Sequence, residues 1–344
     1  MTTSVVISGT GLWTPSHKIT NEELVEAYNG YAEKFNADNR TDIEIGELTA
    51  KPLSSAEFIE KASGIRSRYT YVKDGILDIT RMRPNIPKRA DDELSDQAEM
   101  AIHAAKKALS AANKTAADID AVIVSCAYTQ RSYPALAIEV QEALGIKGFG
   151  FDMLVACSAA TFALHRAYEM IAAGTAKGVL VINPELTSPQ VNYGDRDSHF
   201  IFGDVATALV VEAAETADAE HVYEIMSTKA VTSYSNNIRS NFGYVSRAND
   251  SDPFANDMLF HQEGRKVFKE VCPMAVEHIN EHLQRHSLDS SNVKRWWLHQ
   301  ANINMNSLIS KKLLGREASL EEAPIVLDTY ANTASAGSII AFNL

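Results

Sequence analysis

Cysteine is scarce in this chain: Cys126, Cys157 and Cys272 are the only three in 344 residues. Three thiols cannot all pair, and their spacings fit no zinc pattern. That argues against a disulfide-stapled secreted scaffold and makes a reducing cytoplasm the expected setting. Long apolar runs are missing as well. None approaches the roughly 18–20 residues of a membrane span. The opening "MTTSVVISGTG" has no basic n-region, so no signal peptide is expected. Positive charge is in deficit, with 32 Lys+Arg against 44 Asp+Glu and a net charge of −12 at pH 7. Such a balance argues against an intrinsic binder of nucleic acid or anionic membranes. No glycine-rich phosphate loop and no cluster of His with carboxylates occurs, so no metal or redox cofactor is expected.

What is present reads as a soluble α/β protein. Strand-like and helix-like runs alternate. "SVVISGTG" (4–11), "AVIVSCA" (121–127), "GVLVIN" (178–183) and "TALVVEAA" (207–214) are strands. "SDQAEMAIHAAKKALSAA" (95–112), with Ser95 as cap, and "SAATFALHRAYEMIAAG" (158–174) are helices. Residues 30–94 interrupt the rhythm and are expected to be an elaborated surface segment, with the basic run "RMRPNIPKR" at 81–89. No linker divides the chain. An internal echo does run through it. A shift of 174 lays Met100, Ala101 and Ile102 on Met274, Ala275 and Val276, and "DIDAVIVS" (118–125) on "NVKRWWLH" (292–299). Near a shift of 175, "FDMLVACSAA" (151–160) falls on "VLDTYANTAS" (326–335), so that Cys157 coincides with Asn332. Two similar halves would carry Cys157, His299 and Asn332 to equivalent strand ends. Functional groups of α/β folds favour such loops.

Cys157 stands where a strand is expected to turn into a helix, followed by the small residues Ser158, Ala159 and Ala160. A helix N-terminus favours thiolate, which makes Cys157 a candidate nucleophile with a depressed pKa. Cys126 and Cys272 read as buried structural thiols. His299 in "WWLHQANINM" and Asn332 in "LDTYANTASAG" are expected at the ends of strands. Neutral imidazole and carboxamide groups donate hydrogen bonds to a developing oxyanion, so thiol, imidazole and carboxamide together form an acyl-transfer set.

These stretches resemble the ketoacyl synthase III family of the thiolase-like superfamily. The resemblance runs through "GIRSRYTY" (64–71), "CAYTQRSYPALAIEVQEALGI" (126–146), the Cys157 block, "HFIFGDVATALVVE" (199–212), "LHQANI" (298–303) and "YANTASA" (330–336). It implies a five-layered α-β-α-β-α fold from two pseudo-duplicated halves, residues 1–215 with Cys157 and 216–344 with His299 and Asn332. It also implies a homodimer and no metal or redox cofactor. The expected reaction is a decarboxylating condensation of an acyl thioester with malonyl on acyl carrier protein, in fatty acid biosynthesis. A related condensing enzyme of a secondary pathway, making an alkyl resorcinol, quinolone or long-chain ketone, is the alternative. The resemblance further implies substrate contacts at Arg196, Phe58, Tyr133 and Asn302, and carrier-protein docking at Lys311 and Lys312.

Departures from the family pattern are specific. Phe58 stands for the family's Trp of the coenzyme A clamp, and Ala62 for an Arg beside it, while Arg196 is retained. Asn304 replaces a basic residue after the His block. Tyr133 stands where the family places a Phe at the floor of the neighbour's acyl tunnel. A Tyr there is no smaller than Phe and alone argues for a short tunnel, but the altered clamp at Phe58 and Ala62 and the extra residues 30–56 suggest a remodelled donor entrance, so a medium-chain acyl-CoA primer with Tyr133 turned aside is expected. The family's closing glycine-rich strand pair has no counterpart up to Leu344.

Overall fold

A computed structural model describes residues 3–248, 250, 252 and 255–344. The chain enters through β1 (Val5–Trp13) and β2 (His17–Thr20), then α1 (Asn21–Asp38), α2 (Arg40–Glu44) and α3 (Ala56–Ser63). After β3 (Ser67–Thr70) come α4 (Asp96–Ala111), β4 (Ala121–Cys126), α5 (Leu136–Leu144) and β5 (Phe149–Leu154). Next are α6 (Ala159–Ala172), β6 (Gly178–Glu185), β7 (Val205–Ala213) and the short β8 (Tyr223–Glu224), β9 (Ile238–Arg239) and β10 (His261–Gln262). The chain ends in four helices, α7 (Gly264–Arg285), α8 (Ile303–Leu314), α9 (Leu327–Tyr330) and α10 (Gly337–Asn343).

One mixed sheet organises these elements, in the order β5-β4-β6-β7-β1-β8. β4 runs parallel to both β5 and β6, so their C-terminal ends lie at one edge. Every residue of β4 and of β6 is buried, as expected of strands covered on both faces. On one face α4 and α5 pack through Ala98, Ala101, Ala105 and Leu136. On the other lies α6, through Ala160, Ala163 and Ala167. The alanines let α4 approach β1 closely. A Cβ at Gly11 would stand 2.1 Å from the Ala104 carbonyl oxygen, and one at Gly9 2.3 Å from that of Ala108. Those two glycines are therefore a packing requirement.

The echo of the sequence reappears in the backbone. Asn113 and Ser287, 174 residues apart, both adopt φ 55° just past α4 and α7. One-turn 3-10 helices follow at 116–118 and 290–292. Ala156 (φ 45°) and Ala331 (φ 58°), 175 apart, immediately precede Cys157 and Asn332.

Four local expectations change. The run ending at His299 is not a strand: it makes one backbone bond to its neighbour, Trp296 N–H to the Glu322 carbonyl at 2.7 Å. Its apolar side chains pack between helices instead, Trp296 with Cys272, Ile309 and Leu313. Residues 327–330 form the helical turn α9 rather than a strand before Asn332. Residues 30–94 are more ordered than a surface elaboration, since they include half of α1, all of α2 and α3, and β3. Cys272, which the following Pro273 would place at the start of a helix, lies inside α7 together with that proline.

Candidate active site

Cys157 sits on a 3-10 turn, Ala156–Ser158, between β5 and α6. Ala156 takes the left-handed conformation, which costs a residue with a Cβ roughly 1–2 kcal/mol. The sharp turn leaves Ala156 and Ser158 exposed and Cys157 half-buried. Burial pushes the thiol up to about 12, the negative Glu185 acts in the same direction, and the residue's own N–H offsets part of this. The expected depression by the helix end is thus outweighed, because desolvation disfavours thiolate more than the short turn stabilises it.

Asn332 is buried and fixed on three sides. Its backbone N–H donates to the Ile201 carbonyl at 2.9 Å, and its carbonyl accepts the Gly203 N–H at 3.1 Å. The side-chain Oδ1 accepts the Ala334 N–H at 2.9 Å. That bond commits the carboxamide oxygen and leaves Nδ2 as the donor available to a substrate oxygen. His299 is half-buried, and burial lowers its imidazole to about 4. The ring is therefore neutral at pH 7 and carries one N–H donor.

The fold brings these segments together. The Cys157 turn packs against the turn Ala334–Ala336 that follows Asn332. Gly337 presses on Gln300, the residue after His299: a Cβ there would lie 2.7 Å from the Gln300 Cβ. Gln300 in turn holds the segment before Asn332, its Oε1 accepting the Val326 N–H at 3.0 Å.

Residues 151–231 match the family 3-oxoacyl-[acyl-carrier-protein] synthase III, and residues 283–344 match its C-terminal counterpart. A β-ketodecanoyl-[acyl-carrier-protein] synthase of Pseudomonas aeruginosa is 53% identical over 319 residues, 93% of this chain and 91% of that protein. The chain belongs to the ketoacyl synthase III family. The crystal structure of 3-oxoacyl-[acyl-carrier-protein] synthase III from Aquifex aeolicus superposes with a TM-score of 0.67 at 25% identity, over 98% of this chain and 89% of that one. The priming β-ketosynthase of the R1128 polyketide pathway superposes at 0.76 and 21% identity, over 99% and 87%. The thiolase-like fold expected from the sequence is thereby shown, and this synthase is a condensing acyltransferase of fatty acid synthesis.

The other expected residues fall in three places on the synthase. Phe58 and Arg196 are in contact, with the guanidinium carbon 3.7 Å from the ring centre and Nε donating to the Leu53 carbonyl at 2.8 Å. Beside them a cavity of about 350 Å³ is lined by Tyr28, Lys51, Asp195 and Arg196, so the segment 30–56 borders this cavity. Asn302 caps α8, its Nδ2 reaching the Ala62 carbonyl at 2.8 Å. Tyr133 stands 78% exposed, far from being folded into its own chain's core. Lys311 and Lys312 are exposed in the last turn of α8, with Lys311 paired to Glu317 at 2.6 Å. In the basic run, Arg89 is half-buried and held by Asp96, Glu99 and the Tyr71 hydroxyl, so its charge is spent internally.

Sequence reasoning missed Glu185 and Asp204, two buried carboxylates beside the site. A charged residue closing the apolar run "VLVINPE" was the available signal for the first.

The raised thiol carries a pH signature. In the free enzyme, thiolate becomes more abundant by tenfold per pH unit below its pKa. The rate of Cys157 alkylation by iodoacetamide should therefore keep rising from pH 7 through pH 10. A plateau near neutrality, followed by mass spectrometry, would show a preformed thiolate instead.

Proposed function

We propose that this synthase condenses a medium-chain acyl-CoA, of about eight carbons, with malonyl on acyl carrier protein, through an acyl-Cys157 intermediate. The fixed Asn332 carboxamide, whose turn packs on the Cys157 turn, is the observation that supports the mechanism, together with a His299 ring that burial keeps neutral. In the first half-reaction the Cys157 sulfur attacks the acyl-CoA carbonyl, the carbon–sulfur bond to coenzyme A breaks, and coenzyme A leaves as its thiol with the Cys157 proton. In the second, malonyl loses CO₂, and the electron pair of that bond forms an enolate. His299 and Asn332 Nδ2 donate to its oxygen. The enolate carbon attacks acyl-Cys157, and the thiolate departs.

Neutral donors suit this step. An imidazolium would transfer its proton to the enolate, whereas an imidazole N–H stabilises the charge and keeps its proton. Support for the chain length comes from the 53% identical β-ketodecanoyl synthase. Ten carbons in such a product, less two from malonyl, leave eight in the primer. Phe58 and Arg196 would hold the nucleotide of the donor, with Asn302 bracing the neighbouring wall. We further assign Lys311 and Lys312 to docking of the acidic carrier protein. We also divide the chain into halves 1–215 and 216–344, a reading supported by the long strands of the sheet, the last of which ends at Ala213. A cytoplasmic setting fits the reduced thiols, and among the described residues no helix is long and apolar enough to cross a membrane.

A second copy of the chain is the occupant that the edge of β5 calls for. Among the described residues β5 pairs only with β4, and Phe149 and Leu154 on it are exposed, as are Tyr133 and Ile138 before and in α5. An open edge with an apolar flank seeks a partner. In such a dimer Tyr133 would close the far end of the neighbour's acyl tunnel.

One assay tests the chemistry. With malonyl carrier protein and acetyl-, hexanoyl- or octanoyl-CoA, the wild type should favour octanoyl in kcat/KM by roughly 100-fold or more, since each buried methylene contributes about 0.8 kcal/mol. Cys157→Ser should lose acyl loading by intact mass. Asn332→Ala should keep loading and lose CO₂ release by roughly 100-fold, the scale of one oxyanion donor. A clear acetyl preference would refute the primer length, and equal loss of both half-reactions in Asn332→Ala would refute the division of roles.

Charge reversal tests docking. Lys311→Glu with Lys312→Glu should raise KM for the malonyl carrier protein at low salt, where attraction is least screened, and leave acyl-CoA loading alone. Unchanged KM would remove the assignment.

Sedimentation tests the second copy. Twice the chain mass of 37.7 kDa is expected at micromolar concentration, and Phe149→Glu should yield monomer. A wild-type monomer would overturn the dimer.

A further inference from the structure

Glu185 closes β6 with its side chain wholly out of water. Its Oε2 accepts the N–H of Ala127, just past β4, at 3.0 Å. Its Oε1 accepts both the backbone N–H of Ser335, at 3.1 Å, and the Ser335 hydroxyl. Ser335 belongs to the turn that begins at Asn332, where the Asn332 Oδ1 already accepts the Ala334 N–H. One carboxylate thus ties two strand ends of the first half to the carboxamide turn of the second. Among the described residues Glu185 makes no ion pair. The titratable groups that face it are Cys126 and Tyr128 from the end of β4, Cys157 from its own turn, and Asp204 before β7. None is a cation.

We propose that Glu185 is a positioning residue for the decarboxylation half-reaction: it aims the Asn332 carboxamide by clamping its turn to the sheet, and it keeps a negative charge beside the Cys157 thiol. The inference rests on the synthase reading given above. Both carboxylate oxygens accept from N–H donors, so a carboxamide in their place must point its NH₂ at one of those donors. Glu185→Gln therefore breaks one arm of the clamp while preserving volume. Burial raises the Glu185 carboxyl to about 7, against the opposing hydrogen bonds of Ser335 and Ala127. Above that pH the group is ionised and the clamp is complete.

Three variants test this: Glu185→Gln, Ser335→Ala and the double substitution. Each is assayed for CO₂ release from malonyl carrier protein, for acyl loading by intact mass, and for the pH profile of Cys157 alkylation. Glu185→Gln should reduce CO₂ release by roughly 10- to 100-fold, as expected when an oxyanion donor is misaimed, with loading within a few-fold of wild type. Its alkylation should be faster between about pH 8 and pH 10, where Glu185 is ionised in the wild type and a negative neighbour has been removed, and the two rates should converge below about pH 6. Ser335→Ala should show a smaller loss, and the double variant should be no worse than Glu185→Gln, since both act through one contact. Wild-type CO₂ release in Glu185→Gln, or additive losses in the double variant, would overturn the clamp. An unshifted alkylation profile would overturn the charge effect. If Glu185→Gln does not fold, Ser335→Ala decides, and undiminished CO₂ release there refutes the clamp. Absence of CO₂ release from the wild-type protein would instead refute the synthase reading, and the alkylation profile, which needs no substrate, would still judge the charge.

Discussion

Two carboxylates held out of water organise the working end of this molecule. Asp204 accepts the backbone N–H groups of Tyr71, Thr187 and Ser188 at 2.7–2.8 Å, and also the hydroxyls of Thr187 and Ser188. Glu185 gathers Ala127 and Ser335 in the same manner. Strands end there and the chain bends, so the N–H groups released from the sheet ladder have no carbonyl opposite them. An unpaired buried N–H costs about 1–3 kcal/mol, and an unpaired buried carboxylate costs more. Each shortage satisfies the other. Burial raises the carboxyls of both residues, and the converging N–H groups oppose that rise. The arrangement needs no cation. It fixes the segments that leave β3, β4 and β6 and the turn that follows Asn332.

Duplication explains why two such turns meet. Cys157 and Asn332 each follow an alanine held at positive φ, at equivalent places of two similar halves. Any non-glycine residue resists that conformation. Its occurrence twice, immediately before both candidate side chains, marks the strained step at which each chain segment bends toward the other turn. The two halves then diverged in what surrounds the step. The first keeps a complete sheet. The second supplies helices and extended segments whose tryptophans pack on α7, α8 and α10.

Periodicity made the first half legible. β4 and β6 are continuous apolar runs, α4 repeats alanine at helical spacing behind Ser95, and α6 ends at Gly174 with φ 72°, all as the residues suggest. The three candidate residues were legible because the echo aligned Cys157 with Asn332 and the family blocks surrounded all three. Other features depend on what lies across space. "RWWLH" has the composition of a strand but lacks the laddered neighbour that makes one. The thiol of Cys157 follows its burial and Glu185 rather than its position along a helix. Arg89 belongs to a basic run by sequence and to an acidic cage by contact. Glu185 is a single letter at the end of an apolar stretch, and its three donors come from residues 58 and 150 positions away.

The self-stacked pair Phe58 and Arg196 has a consequence for turnover. The guanidinium already covers the ring, 3.7 Å from its centre. At the donor site proposed above, a planar base stacking on Phe58 would have to displace that cation, exchanging one π-face contact for another of similar strength. The exchange would leave little net affinity in the nucleotide end of the donor. Recognition would then fall to the acyl chain, which stays behind on sulfur, while the departing coenzyme would be loosely held. A slot that refills itself would thereby ease release of the spent carrier.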